Sequence, residues 1–290
     1  MACFSPALDG AIAAALGSGP IRRKAVAGGC IHQSWMVSLA DGRRVFCKQN
    51  SAGALANFQA EATGLRALVQ AGSGLAIPAP LWCGAVGSDA LLILEWLDLG
   101  DGGRDGWSAL GRGLAALHRH PVGERFGWQE DNFIGSGPQR NGWLEDWGAF
   151  FAGRRIAHQL AIARRRGLEL RGGDQLVEAI PYLLAGHTTR PSLVHGDLWS
   201  GNAAITAEGL GSIFDPAAHL ADREVDLAMT HLFGGFPAAF HDAYAASWPL
   251  PAGHQGRRDL YNLFHLLNHA NLFGGGYRQQ SQQLIDQLLA

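Results

Sequence analysis

The chain has 290 residues, 47% apolar and 17% charged, the make-up of a well-packed folded protein with one large domain or two modest ones, and not of a disordered one. A formal net charge of −2 excludes a broad electrostatic field for nucleic acid or an anionic membrane, and no apolar run reaches the length of a membrane span. The first residues carry Asp9 and no basic leader, so they do not read as a secretory signal. Cys3, Cys30, Cys47 and Cys83 show no metal-ligand spacing and read as reduced thiols, which points to the cytoplasm.

In chain order, SPALDGAIAAALG predicts a short helix capped by Ser5, with Pro6 in its first turn and Gly17 as its stop. SWMVSLADGRRVFCKQ holds two β-prone runs around Asp41-Gly42, a hairpin signal. ALANFQAEATGLRALVQAG has apolar residues at helical spacing, and PLWCGAVGSDALLILEWL reads as two more strands joined near Gly87. Residues 1–97 are therefore expected to form a small antiparallel sheet with one internal helix. A Gly- and Asp-rich joint, residues 98–106, separates them from a mainly helical region, residues 98–290. Helices are expected over 107–118, 143–166, 174–186 and 257–272, interrupted by a loop-and-strand block at 192–215. The basic run RRIAHQLAIARRRG reads as a solvated helix face. Two such lobes enclose a cleft, the usual place for a small ligand.

Lys48 and Phe46 are two apart on the second hairpin strand and share a face. A strand lysine is commonly a solvated edge charge. Glu61, however, lies on the apolar stripe of the next helix with Phe58, Leu65 and Leu68, where a carboxylate is costly unless a cation meets it. Lys48 is the nearest such cation in sequence, and a strand Lys paired with a helix Glu is how kinases hold a lysine against nucleotide phosphates. Upstream, Gly28 and Gly29 sit between two strands, where glycines let backbone N–H groups approach phosphate; the same pair also fits an ordinary hairpin turn.

The stretch LVHGDLWSGN, 193–202, precedes a short hairpin that ends at Asp215. An H-G-D tripeptide alone is as often a turn as a site. Asp197, Asn202 five residues on, and Asp215 on the next strand pair follow the order of a kinase base and its two metal ligands. Asp197 would accept the proton of an attacking hydroxyl, and Asn202 and Asp215 would hold Mg²⁺ against ATP phosphates. His195 reads as a hydrogen-bonder that fixes the loop, and Asp226 as a structural carboxylate near a helix start that ties it down.

LVHGDLWSGN, FDPAAHLADREVDLAMTHLFGGFP, FGWQEDNFIGSGPQRNGWLEDWGAFF, LLNHANLFGGGY, FCKQN and FQAEATGLRAL together resemble the fructosamine and ketosamine kinases, a protein-kinase-like family related to aminoglycoside and choline phosphotransferases. The resemblance covers nearly the whole chain. It implies an α+β bilobal fold, with a nucleotide-binding lobe at 1–97 and a catalytic and substrate-binding lobe at 98–290. It implies an ATP- and Mg²⁺-dependent kinase that phosphorylates the 3-hydroxyl of a ketosamine, free or on a glycated protein lysine, in deglycation repair. Asp197 would be the base, Asn202 and Asp215 the metal ligands, and Lys48, oriented by Glu61, the phosphate clamp. Glu95 and Leu97 would offer backbone groups to adenine. Trp199 would stack on the sugar or its amine arm, or else anchor the core; His269 would contact substrate at the rim, or else pack its helix. Cys30 lies where some members carry a redox-sensitive thiol, and equally reads as a small buried one. The resemblance leaves the preferred sugar and the oligomeric state open. Other readings are a kinase for an aminoglycoside, choline or homoserine, and a silent ATP-binding module.

Overall fold

The structure, a computed structural model, describes residues 5–26 and 32–290. Helix α1 (Pro6–Leu16) begins where Ser5 accepts a hydrogen bond from the Leu8 amide at 3.4 Å and stops at Gly17, whose φ of 70° suits a left-handed cap. Strands β1 (Pro20–Ala25), β2 (Gln33–Leu39), β3 (Arg44–Ser51), β4 (Pro80–Val86) and β5 (Asp89–Glu95) form one antiparallel sheet in the order β1-β2-β3-β5-β4. Gly42, at φ 87°, makes the expected turn between β2 and β3.

Side chains alternate across this sheet. Val45, Cys47, Leu91 and Ile93 meet Leu8 and Ile12 of α1 on one face. Burying those two helix residues contributes roughly 1.5–3 kcal/mol each. Ala90, Leu92 and Leu94 meet Phe58, Ala62, Leu65 and Leu68 of α2 (Leu55–Gln70) on the other. Lys48, opposite Leu92, is on this second face.

The joint is shorter than the sequence predicts, because α3 starts at residue 104 (Arg104–Arg119). It is also pinned: the Ala207 amide donates to Asp98 O at 2.7 Å and the Gly100 amide to Ile205 O at 2.8 Å. Four three-residue strands follow, β6 (Phe126–Trp128), β7 (Asn132–Ile134), β8 (Gly137–Gln139) and β9 (Gly142–Leu144). The helix expected from residue 143 thus begins only at α4 (Trp147–Phe150), where Asp146 caps the Ala149 amide at 2.6 Å. It runs through a π turn (Phe151–Ala157) into α5 (His158–Arg165). Then come α6 (Gly173–Leu183), β10 (Ser192–Val194), the hairpin β11 (Ala203–Ile205) and β12 (Gly211–Ile213), and β13 (His219–Ala221). The chain closes with α7 (Glu224–Leu232), α8 (Ala238–Ser247), α9 (His254–Phe273) and α10 (Gly276–Leu288).

Strands β10-β13-β6-β9 form a second antiparallel sheet. Its core surrounds Trp147, whose indole N–H donates to the Tyr261 hydroxyl at 3.0 Å. The lobes are not independent. Phe58 and Leu65 of α2 share one apolar cluster with Leu110, Leu193 and Leu198, and a Cβ at Gly64 would sit 3.1 Å from Ala218 Cβ. Among the described residues no helix is long and apolar enough to cross a membrane.

Candidate active site

Glu61 enters the interior on the inward stripe of α2 and meets Lys48 from β3, Nζ to Oε1, at 2.8 Å; the side chains are 4% and 12% exposed. Lys48 also bonds Asp215 from the opposite lobe. Burial opposes the ammonium charge, but the carboxylates of Asp215 and Glu61 outweigh it and hold Lys48 above its ordinary range. Burial pushes the Glu61 carboxyl up to about 7, against the pull of Lys48. His32 is nearby; burial and the Lys48 charge lower it to about 4, so it is neutral, and its Nδ1 pairs with the Asn50 amide at 2.8 Å.

Strand β10 delivers the chain into His195, Gly196 and Asp197. Gly196 has φ 82°, and a Cβ there would lie 2.3 Å from Ala217 O, so only glycine fits this crossing. The loop is held from beneath by Asp226 at the start of α7. Its Oδ2 accepts from the His195 amide at 2.7 Å and its Oδ1 from the Gly196 amide at 2.8 Å. His118 Nε2 lies 3.1 Å from the same carboxylate. The His195 ring bridges Phe214 O, 2.9 Å from Nε2, and the Asp197 amide, 3.3 Å from Nδ1; burial holds its pKa low. It is thus an orienting group within the loop.

Asn202 ends a single 3₁₀ turn and donates its amide to Asp197 O at 2.9 Å and to Asp197 Oδ2 at 3.3 Å. With its nitrogen so committed, its carbonyl oxygen remains for a further contact. Burial first, then the Asp215 charge, raises Asp197 to about 7, against the Asn202 hydrogen bond. Asp215 has φ 60°, the only positive value among the described non-glycine residues, the kind of backbone cost that gathers at functional sites. The Phe214 amide donates to Asn202 O at 3.1 Å, which brings the two segments side by side. Lys48, Glu61, Asp197, Asn202 and Asp215 therefore converge in one place at the junction of the lobes. The oxygens of Asn202 and Asp215 are hard donors of the type a small divalent cation such as Mg²⁺ takes.

The chain after Asp215 is clamped by residues that the sequence did not single out. Ala217 donates its amide to His195 O at 2.9 Å. Asn132 Nδ2 donates to Ala218 O at 2.9 Å, and Gln139 Nε2 to Ala217 O at 3.1 Å. Asn132 Oδ1 accepts from both Gln139 and Asn141 at 2.8 Å, and Asn141 Oδ1 accepts from Arg155 Nη2 at 2.9 Å. Arg155 belongs to the run expected to be solvated, yet the π turn carries it inside, under the Phe150 and Phe264 rings at 4.7 and 5.6 Å. Burial lowers its pKa to about 9, while Arg164 and Arg165 of the same run remain exposed.

Gly28, Gly29 and Cys30 lie outside the described residues. The Glu95 amide donates to Ala79 O at 2.9 Å, so the carbonyl is the one main-chain group this residue can offer a nucleotide; Leu97 follows two residues beyond the end of β5. Trp199, 37% exposed, lies over Gly201 two residues past Asp197 and is not a core anchor. His269 is half-buried on α9, packed against Phe233 at 5.0 Å. A separate group, His187, Asp222 and Glu224, has metal-ligand atoms within 4.8 Å of one another. Its members already have partners: Arg257 forks onto Glu224 with two 2.8 Å bonds, and Asp222 accepts from Tyr261 at 2.7 Å and lies 2.5 Å from His187 Nε2.

The sequence profile of the fructosamine kinase family matches residues 9–290, nearly the whole chain. The chain belongs to the fructosamine kinase family. A Synechocystis relative named "Probable ketoamine kinase" is 48% identical, covering 92% of this chain and 90% of its own. The chloroplastic protein-ribulosamine 3-kinase of Arabidopsis thaliana is 37% identical over 91% of this chain and 81% of its own. The crystal structure of a candidate fructosamine-3-kinase from Haemophilus somnus superposes with a TM-score of 0.89 at 27% identity, covering 98% of this chain and 97% of that one. The fructosamine kinase fold extends to more distant proteins: the choline kinase of Streptococcus pneumoniae shares it, with a TM-score of 0.63 at 14% identity and 97% coverage of both chains. The fold is bilobal α+β, and this member of the fructosamine kinase family is an ATP-dependent phosphotransferase with an alcohol acceptor.

Proposed function

We propose that this enzyme transfers the γ-phosphate of ATP to the 3-hydroxyl of ketosamines, sugars condensed on an amine that is free or belongs to a protein lysine. The observation that carries the proposal is the convergence of Asp197, Asn202, Asp215 and the Lys48–Glu61 pair at the junction of the lobes. The names of the relatives, ketoamine kinase and ribulosamine 3-kinase, support the acceptor class. Residues 1–97 would serve as the nucleotide lobe and 98–290 as the catalytic and substrate lobe, with Gly28, Gly29, Glu95 and Leu97 around the nucleotide. Unpaired Cys47 and Cys83 fit a reducing cytoplasmic location.

In this reading Lys48, held charged by its two carboxylates, draws phosphate oxygens into place, and Glu61 fixes the direction of its stem. Asn202 and Asp215 hold Mg²⁺, which when bound neutralises charge on the phosphate oxygens. Asp197 accepts the proton of the sugar hydroxyl as that oxygen bonds to the γ-phosphorus and ADP leaves. A carboxyl tuned to about 7 is matched to that task at neutral pH. Trp199 lays an apolar face against the sugar, and His269 closes the rim. In the product, enolisation between carbons 1 and 2 expels the phosphate from carbon 3, and hydrolysis then releases the amine, which is deglycation.

The test is ADP release with ribulosamine, fructosamine, an aminoglycoside and choline, with the phosphorylated carbon located by NMR. Phosphate on carbon 3 of a ketosamine is the expected result. Turnover of the aminoglycoside or choline alone would move the enzyme to another branch of the superfamily.

A further inference from the structure

Four rings gather at the outer end of α9 and the start of α10. His269 lies 5.0 Å from Phe233, 5.5 Å from Phe273 and 5.0 Å from Tyr277, centroid to centroid, and Phe233 lies edge-on to Tyr277 at 6.4 Å. Such rings normally form a core, but Phe273 is 57% and Phe233 37% exposed. The cluster adjoins the reacting centre. Two residues past Phe233, Gly235 presses on the catalytic loop so closely that a Cβ there would meet Ser200 Cβ at 2.4 Å, and Trp199, also exposed, precedes Ser200. Gly274 and Gly275, at φ 67° and 59°, break the chain between α9 and α10 so that Phe273 and Tyr277 both reach His269.

The chemistry of the rings selects a ligand. His269 Nδ1 lies 2.8 Å from His265 O, a carbonyl, so Nδ1 carries the proton and donates it there, leaving Nε2 as an acceptor. Burial lowers the pKa of this ring, which keeps it neutral at physiological pH. Neighbouring Phe and Tyr rings offer electron-rich faces, which attract a cation, an ammonium above all. A lone-pair nitrogen ringed by aromatic faces suits an N–H⁺ donor on an alkyl chain.

Resting on the ketosamine kinase reading, we infer that Phe233, His269, Phe273 and Tyr277 form the subsite for the protonated amine arm of the substrate, and so make the enzyme select aminated sugars over neutral ones. In a ketosamine the amine is on carbon 1, two carbons from the reacting hydroxyl. An acceptor whose hydroxyl meets Asp197 thus carries its amine within a few bonds of the loop on which Gly235, two residues past Phe233, rests. The same ammonium occurs in a free amine adduct and in a glycated lysine of a protein.

The test compares three acceptors: the ribulose adduct of free lysine, the same adduct within a short peptide, and an isosteric ribulose ether with oxygen in place of the amine. Wild-type enzyme is expected to show a KM roughly tenfold lower for both amines than for the ether. Phe273→Ala with Tyr277→Ala should raise KM for both amines about tenfold, leave the ether and ATP KM values in place, and so erase the preference. Phe273→Tyr should retain it, and an unmoved ATP KM reports that the double variant is folded. Equal KM for amine and ether in the wild type, or a variant that keeps the preference, overturns the subsite alone. An effect seen only with the peptide overturns the ammonium assignment and places the contact on the peptide. No turnover of any of the three, nor of the fructose adduct of lysine, overturns the ketosamine reading, and the subsite with it.

Discussion

Lys48 and Glu61, thirteen residues apart, meet at 2.8 Å inside the protein, and the far side of the ammonium is taken by Asp215 from the other lobe. Removing one member of such a buried set leaves the remaining charges unmatched. Lys48→Met should cost about 2–4 kcal/mol of stability and at least about a hundredfold in kcat/KM for ATP. Glu61→Gln retains the cation but frees its stem, so its main effect should be a higher ATP KM. Denaturant unfolding and steady-state kinetics on the two variants separate these outcomes.

Asp197→Asn removes the proposed proton acceptor and retains the shape. Turnover should fall by roughly 10²–10⁴ while ATP binding, followed by calorimetry, persists. Wild-type turnover in this variant would show that the base lies elsewhere.

The same carboxyl makes two pH predictions. As a base it must be ionised, so kcat/KM should rise through about pH 7 and flatten above it. For stability the direction reverses. The folded pKa of about 7 lies above the usual value of 3.8, so between these the folded state binds the proton more tightly, and this group's contribution to stability falls as pH rises. Asp197→Asn should therefore be more stable than the wild type at pH 8, by about 1–3 kcal/mol, with the gap closing toward pH 5. Melting curves across that range check it.

Gly196 lies where the loop that carries Asp197 crosses the chain after Asp215. Gly196→Ala would place a methyl group 2.3 Å from Ala217 O on a backbone at φ 82°. The expected cost is at least about 2 kcal/mol, with kcat falling further than stability alone accounts for, because the loop bearing Asp197 must shift. Urea unfolding with kinetics below the transition tests both parts.

Asn132→Asp replaces a donor by an acceptor against Ala218 O and retains the oxygen that serves Gln139 and Asn141. It should destabilise the protein by about 1–3 kcal/mol and reduce kcat through the displaced Asp215 segment. Asn132→Ala, which removes both functions, should cost more.

Much of the N-terminal lobe was legible because its signals are local. Ser5 and Gly17 bound α1, Asp41-Gly42 turns the hairpin, and Glu61 on an apolar stripe called for the cation that Lys48 supplies. Asp197, Asn202 and Asp215 could be picked out by spacing, and the structure brings them together. The clamp beneath them was not visible. Strands β6 to β9 have three residues each, too few to show a period, and Asn132 bonds a carbonyl 86 residues away. Arg155 looked like its exposed neighbours because nothing in RRIAHQLAIARRR marks the π turn that rotates it inward. Helices α8 and α10 were missed as well; of α7 only its start at Asp226 was legible, because it is buried almost all round and so lacks the polar face that marks an amphipathic helix.

Asp226 gives both oxygens of one carboxylate to the main chain at His195 and Gly196. Under the proposed assignment the reacting groups are thus anchored through atoms that every amino acid possesses, and acceptor choice falls to side chains at the solvent edge that support little of the core. A lineage starting from this protein can exchange those edge residues, and drift toward new acceptors, at small risk to folding or to the chemistry.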